Sequence, residues 1–258
     1  MNQTAYLLDQ RSIIVTGAAQ GIGRAISELA LQLGARVTAV DMNADALAAF
    51  ERDAPEGRLL PLAGDVSDPA FAASAMESAA ARFGTVDGLV NNAGITRIAM
   101  IEKMTQEAWQ KVIDVHLTGS FQFLQAAGRH MLATARETGR PGGAIVNITS
   151  DAGRRGTIGQ INYAAAKSGV LGLTMSAARE WGKYGIRVNT VGFGVVETPM
   201  TETIRGDKFR DTYLSQIPLG RFGQAGEVAW PVCFLLSDAA SYITGQHIYA
   251  NGGMTIGM

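Results

Sequence analysis

Short apolar runs and longer amphipathic segments alternate along the whole chain. The runs at 12–16, 35–41, 59–64, 86–91, 143–149, 186–191 and 246–250 are apolar throughout, rather than at every second residue. That pattern belongs to strands buried on both faces of a parallel sheet. Between them, helical spacing runs over 21–33, 44–52, 69–83, 105–136, 162–184 and 226–237. The long segment 105–136 is expected to break near 116–119. Repeated strand–helix–strand order predicts an α/β fold: a single doubly wound Rossmann-type domain, with a parallel sheet of about seven strands and helices on both faces. No repeat, low-complexity tract or composition shift marks a linker, so residues 1–258 read as one domain.

A chain of 258 residues buries most of its apolar surface without a disulfide or metal. Its 47% hydrophobic and 17% charged residues exclude a disordered chain. Net charge is −1 and no basic block exists, which argues against a nucleic-acid partner. Cys233 is the only cysteine, so no internal disulfide or thiolate metal cluster is expected. Residues 1–11 carry polar and acidic side chains and do not resemble a signal peptide. No apolar stretch approaches the ~20 residues of a membrane span. The expected location is the cytoplasm, away from membranes.

The first strand runs directly into Thr16-Gly17-Ala18-Ala19-Gln20-Gly21-Ile22-Gly23. Glycines here permit a sharp turn and a close approach to a pyrophosphate. The helix that follows aims its free N–H groups at that anion. Asp41 ends the second strand, 24 residues after Gly17, near the ~20 expected of a ribose-binding carboxylate. A 2′-phosphate would meet like charge there, and Gln20, Met42 and Asn43 offer no cation. NAD is therefore expected over NADP, with Arg24 the one cation near enough to argue otherwise. A helix-capping aspartate is the alternative for Asp41. Asp65 and Val66 follow the third strand and suit an adenine, unless Asp65 is itself a cap; Asp68 offers another. Asn91-Asn92-Ala93-Gly94 ends the fourth strand, where amides can tie strand ends together and small residues admit a flat ligand.

Tyr163 and Lys167 stand four apart on a predicted helix and so share a face. An ammonium nearby favours the phenolate, which turns tyrosine into a usable acid/base. Ser150 closes the fifth strand, 13 residues before Tyr163. Ligands of open parallel sheets sit beyond the carboxyl ends of strands, so its hydroxyl is placed to hold a substrate oxygen beside the phenol.

Taken together, 16–23, Asp65-Val66, 91–94, Ser150, Tyr163/Lys167 and the closing Asn251-Gly252-Gly253 resemble the short-chain dehydrogenase/reductase family over nearly the full length. The resemblance implies Ser150 as substrate orienter, Tyr163 as acid/base, and Lys167 as ribose ligand and modulator of the phenol. It implies contacts of Val196 and Thr198 with the carboxamide and pyrophosphate, and a homotetramer. Within the family, 159–167, 218–221, 241–245 and 250–254 lean toward reductases of 3-oxoacyl-[acyl-carrier-protein] and dehydrogenases of 3-hydroxyacyl-CoA.

Two positions depart from the family. His116 stands where an asparagine is usual, and an imidazole with one donor and one acceptor is expected to hold the same lysine-linked water. Phe193-Gly194 replaces the common Pro-Gly. For the substrate segment 197–216, Met200, Ile204, Phe209 and Tyr213 either wall an apolar pocket or pack as an amphipathic helix. The expected substrate is a 3-hydroxyacyl/3-oxoacyl thioester. A sugar, polyol or cyclic alcohol is the alternative within the same chemistry, and a non-catalytic nucleotide-binding protein the alternative outside it.

Overall fold

The structure is a computed structural model and describes residues 7–256. Expectations about the first six residues and the last two therefore lie outside the described residues. Seven parallel strands form one sheet: β1 (Ser12–Thr16), β2 (Arg36–Asp41), β3 (Leu59–Ala63), β4 (Gly88–Asn91), β5 (Gly143–Ser150), β6 (Ile186–Phe193) and β7 (His247–Ala250). Their spatial order is β3-β2-β1-β4-β5-β6-β7. The order reverses between β1 and β4, and that switch point opens a crevice at the carboxyl edge of the sheet.

The helices are α1 (Gly21–Gln32), α2 (Ala44–Asp53), α3 (Pro69–Phe83), α4 (Gln106–Ile113), α5 (Gly119–Thr138), α6 (Ala152–Arg155), α7 (Ile161–Trp181), α8 (Glu202–Arg205), α9 (Asp207–Leu214) and α10 (Ala225–Leu236). The expected break in 105–136 is a π-helical turn, Asp114–Thr118, that joins α4 to α5 without interrupting the backbone spiral. Among the described residues no helix is long and apolar enough to cross a membrane.

Two apolar layers sandwich the sheet. One joins Ile26, Leu29, Leu47 and Phe50 with Val232 and Leu235. The other joins Met76, Phe123, Met131 and Ala177 on the opposite face. β1 and β5 are buried throughout or nearly so, which accounts for their unbroken apolar sequence. Central polar side chains of the sheet are paired: Asn91 Nδ2 donates to Asn147 Oδ1 at 2.8 Å, and Asn147 Nδ2 donates to Thr174 Oγ1 at 2.8 Å. Thr149 Oγ1 donates to Lys167 O at 3.0 Å. These bonds lock α7 to β5 and so set Tyr163 and Lys167 against the end of that strand.

Candidate active site

A cleft of about 510 Å³ runs along the carboxyl edge of the sheet. Among its lining residues are Gly17, Gln20, Gly21, Ile22, Gly23, Asp41, Asp65, Val66, Asn92, Gly94, His116, Ser150, Tyr163, Lys167, Val196 and Thr198, the residues to which the sequence assigns a cofactor or catalytic role.

At one end the turn from β1 to α1 is held tightly. Asn92 Nδ2 donates to Thr16 O at 3.0 Å and to Gly17 O at 3.2 Å. Thr16 Oγ1 accepts from the backbone N–H groups of Asn92 and Ala93. A Cβ on Gly23 would lie 2.0 Å from Gly17 O, so only glycine lets this turn close. No side chain caps the start of α1 and no acidic residue sits in its first turn. Its N–H groups thus present unneutralised positive potential to the cleft, as a phosphate-binding terminus requires.

Asp41 is not the cap of α2. Asn43 fills that position and accepts from Ala46 N at 3.0 Å. The Asp41 carboxylate instead accepts from Ala19 N and Asn43 N, both at 3.1 Å, and faces the cleft. Arg24 is committed elsewhere: it pairs with Glu28 at 2.6 Å and Asp53 at 3.4 Å, and lies over the Phe50 ring at 3.6 Å from the centroid. Asp68 caps α3, which leaves Asp65 for the cleft. Ser67 donates to the Asp65 carboxylate through both N and Oγ, and Lys111 stands 3.5 Å away. These donors, the Ser67 hydroxyl foremost, hold Asp65 below the usual carboxylate range. Lys111 on α4 was not singled out from the sequence; a lone lysine on an amphipathic helix gives no signal of its own.

At the other end, the Ser150 hydroxyl accepts from Ala152 N at 3.3 Å and stands close enough to the Tyr163 phenol to favour its ionised form. Lys167 is 3% exposed and donates from Nζ to Ile148 O at 2.7 Å. Its Nζ is 5.7 Å from the centroid of the Tyr163 ring. Burial holds the ammonium down to about 7. Burial also pushes the phenol above its ordinary value, against the pull of Ser150. The phenol lowered by its neighbouring ammonium, expected from the sequence, is thus corrected: desolvation is the larger effect in this state.

His116 is buried at 2% exposure, with its ring edge-to-face on Tyr163 at 5.0 Å between centroids. Its Nε2 is engaged by the Ile95 backbone, 2.9 Å from N and 2.7 Å from O. Nδ1 has no partner among the described residues. Gly94 makes room for this ring, since a Cβ there would lie 2.3 Å from His116 Cε1. Desolvation, aided by the Lys167 charge, lowers the imidazole to about 3. Only Nδ1 of the two ring nitrogens therefore remains to meet a water or ligand.

Phe193 ends β6 as a buried core residue, its carbonyl accepting from Asp151 N at 3.3 Å. The substrate segment divides between both expectations. Met200 is exposed on the cleft wall, whereas Ile204 and Tyr213 pack on Val195, Ile217 and Phe222. His130 and His247 stand outside the cleft. His130 accepts from Val86 N, and His247 contacts Thr190 Oγ1.

Residues 17–255 match the family model described as enoyl-(acyl carrier protein) reductase. The 3-oxoacyl-[acyl-carrier-protein] reductase FabG of Thermotoga maritima is 42% identical over 251 residues, covering 96% of this chain and 99% of that one. The FabG protein of Escherichia coli strain K12 is 43% identical over 244 residues, covering 93% and 96%. Among solved structures, a short-chain type dehydrogenase/reductase from Mycobacterium marinum superposes with a TM-score of 0.91 at 30% identity, covering 98% of each chain.

Proposed function

Because the chain belongs to the short-chain dehydrogenase/reductase family, we propose that it interconverts a 3-oxoacyl and a 3-hydroxyacyl thioester with NAD as its nicotinamide cofactor. The observation that carries this reading is the convergence of Ser150, Tyr163 and Lys167 at one end of the cleft whose other end is the glycine turn.

The residues fit a dinucleotide on three counts: the uncapped start of α1, the close-packed turn at Gly23, and the carboxylate of Asp41 facing the cleft. Gly17–Gly23 and Thr198 would hold the pyrophosphate, Asp41 the adenosine ribose, Asp65 and Val66 the adenine, and Asn92, Gly94, Lys167 and Val196 the nicotinamide half. When bound, the nicotinamide supplies or accepts the hydride. Ser150 donates its hydroxyl to the substrate oxygen and fixes it beside the phenol. Tyr163, kept protonated by burial, gives its proton to the ketone oxygen in reduction and takes it back in oxidation. Lys167, with an acidity near neutral, exchanges protons readily with the phenol's surroundings. His116 contributes through Nδ1 alone, as the group that would hold a water near the lysine.

Two findings support NAD over NADP. Asp41 would meet a 2′-phosphate with like charge, and Arg24, the cation in the first turn of α1, is engaged by its ion pairs and ring contact. The acyl-thioester substrate is supported by the two reductases of 42–43% identity. The homotetramer remains part of this reading, supported by the exposed apolar side chains Phe121 on α5 and Met175 on α7.

The test is absorbance of the reduced cofactor with acetoacetyl-CoA, run with NADH and NADPH, and with crotonyl-CoA as the carbon–carbon double-bond control. We expect turnover of the 3-oxo substrate with NADH favoured. In Tyr163→Phe, turnover should fall by at least about 100-fold, the range of a lost general acid, while NADH binding measured by fluorescence persists. A clear NADPH preference would overturn the cofactor assignment. Retained activity in Tyr163→Phe would overturn the mechanism.

A further inference from the structure

The charges lining the cleft are unequally divided. Both of its carboxylates, Asp41 and Asp65, lie at the β2–β3 end. Three of its cations are Arg97, Lys111 and Lys167. Lys111 is paired with Asp65. Lys167 is buried and bonded to Ile148 O. Arg97 is the remainder: exposed, and bonded through Nη1 only to the carbonyl of its neighbour Thr96 at 2.8 Å. No carboxylate among the described residues forms an ion pair with it.

Its backbone is fixed beside the reacting groups. Asn162 Nδ2, from the residue before Tyr163, donates to Arg97 O at 3.0 Å. Two residues earlier, Ile95 grips the His116 ring that packs on Tyr163. Two residues later, Ala99 N donates to Gly159 O at 2.9 Å. A backbone held at three points thus carries, in the wall of the cleft, an exposed guanidinium with no carboxylate partner among the described residues, a fork open to an oxyanion.

We propose that Arg97 is a specificity-determining residue that binds an anionic group carried by the substrate, a phosphate of the thioester's carrier arm or a carboxylate of the substrate itself. The inference rests on the dehydrogenase reading of this site and goes beyond it in naming what the substrate must carry. Charge complementarity supports it: a substrate oxyanion in the cleft would supply the ion pair that no carboxylate among the described residues makes with Arg97.

The experiment compares KM in the wild type and in Arg97→Ala for three 3-oxo substrates: acetoacetyl-CoA, the uncharged thioester acetoacetyl-N-acetylcysteamine, and free acetoacetate. The readout is the KM of each anionic substrate divided by that of the uncharged one. A rise of about tenfold in Arg97→Ala, the loss expected for one charge-assisted contact, supports the proposal. A rise for the CoA thioester alone assigns the anion to the carrier phosphate; a rise for acetoacetate alone assigns it to a carboxylate. If both ratios stay at their wild-type values, including the case where all three KM values rise together, the proposal is overturned while the dehydrogenase reading stands. If the wild type binds NADH but turns over none of the three, both fall.

Discussion

The His116 ring is buried, and its Nδ1 atom has no partner among the described residues; this burial shapes the acid stability of the protein. The imidazole ionises at about 3 in the folded chain against ~6.5 when unfolded. Between those values the unfolded chain binds a proton that the folded chain refuses. Stability therefore falls as pH drops from about 6.5 toward 3, with a slope of up to ~1.4 kcal/mol per pH unit from this one group. His116→Asn removes that contribution, so its unfolding free energy, measured in urea from pH 7 to 4, should decline less steeply than that of the wild type. Parallel profiles would show that the imidazole is not held neutral. The sequence points to His116 as unusual, but not to which nitrogen is left free. That was set by Ile95, 21 residues away, and by the gap that Gly94 leaves for the ring.

At the scale of elements, the turn between β1 and α1 depends on a contact no side chain tolerates. A Cβ on Gly23 would meet Gly17 O at 2.0 Å and Asn92 Nδ2 at 2.5 Å. Both neighbours are fixed, one as backbone and the other as an amide bonded to Thr16 and Gly17. Gly23→Ala must open the turn and tilt the N–H groups of α1 away from an anion. We expect NADH affinity, read by fluorescence titration, to fall by about tenfold or more, because the lost contacts are charge-assisted. Undiminished affinity would show that the start of α1 does not contact the cofactor. Strand and helix positions were largely legible: β1 and α3 fall where the apolar pattern puts them. The π turn at Asp114–Thr118 was read as a break, because Gly119 signals an ending and periodicity cannot tell a widened turn from a stop.

At the scale of the molecule, the two apolar layers share one sheet, so damage to either should be felt throughout. Phe123 on α5 is fully buried and meets Phe71 edge-to-face, with centroids 6.2 Å apart. Phe123→Ala should cost about 3–5 kcal/mol and lower the melting temperature of the whole domain in one transition, by circular dichroism and by bound-NADH fluorescence alike. Separate transitions by the two probes would show that the layers unfold independently. The order of the seven strands and of the long helices between them, the glycine turn, and the choice of Ser150, Tyr163 and Lys167 as a set were legible in the sequence alone. Each depends on period and spacing between near neighbours, which the chain carries in any conformation. The fates of individual charges were decided only by the tertiary structure: Arg24 drawn to Phe50 and Asp53, Asp41 freed because Asn43 caps α2, Tyr163 raised rather than lowered, and Arg97 left without a carboxylate partner among the described residues. Those outcomes depend on burial and on groups distant along the chain, and neither exists until the sheet is closed on both faces.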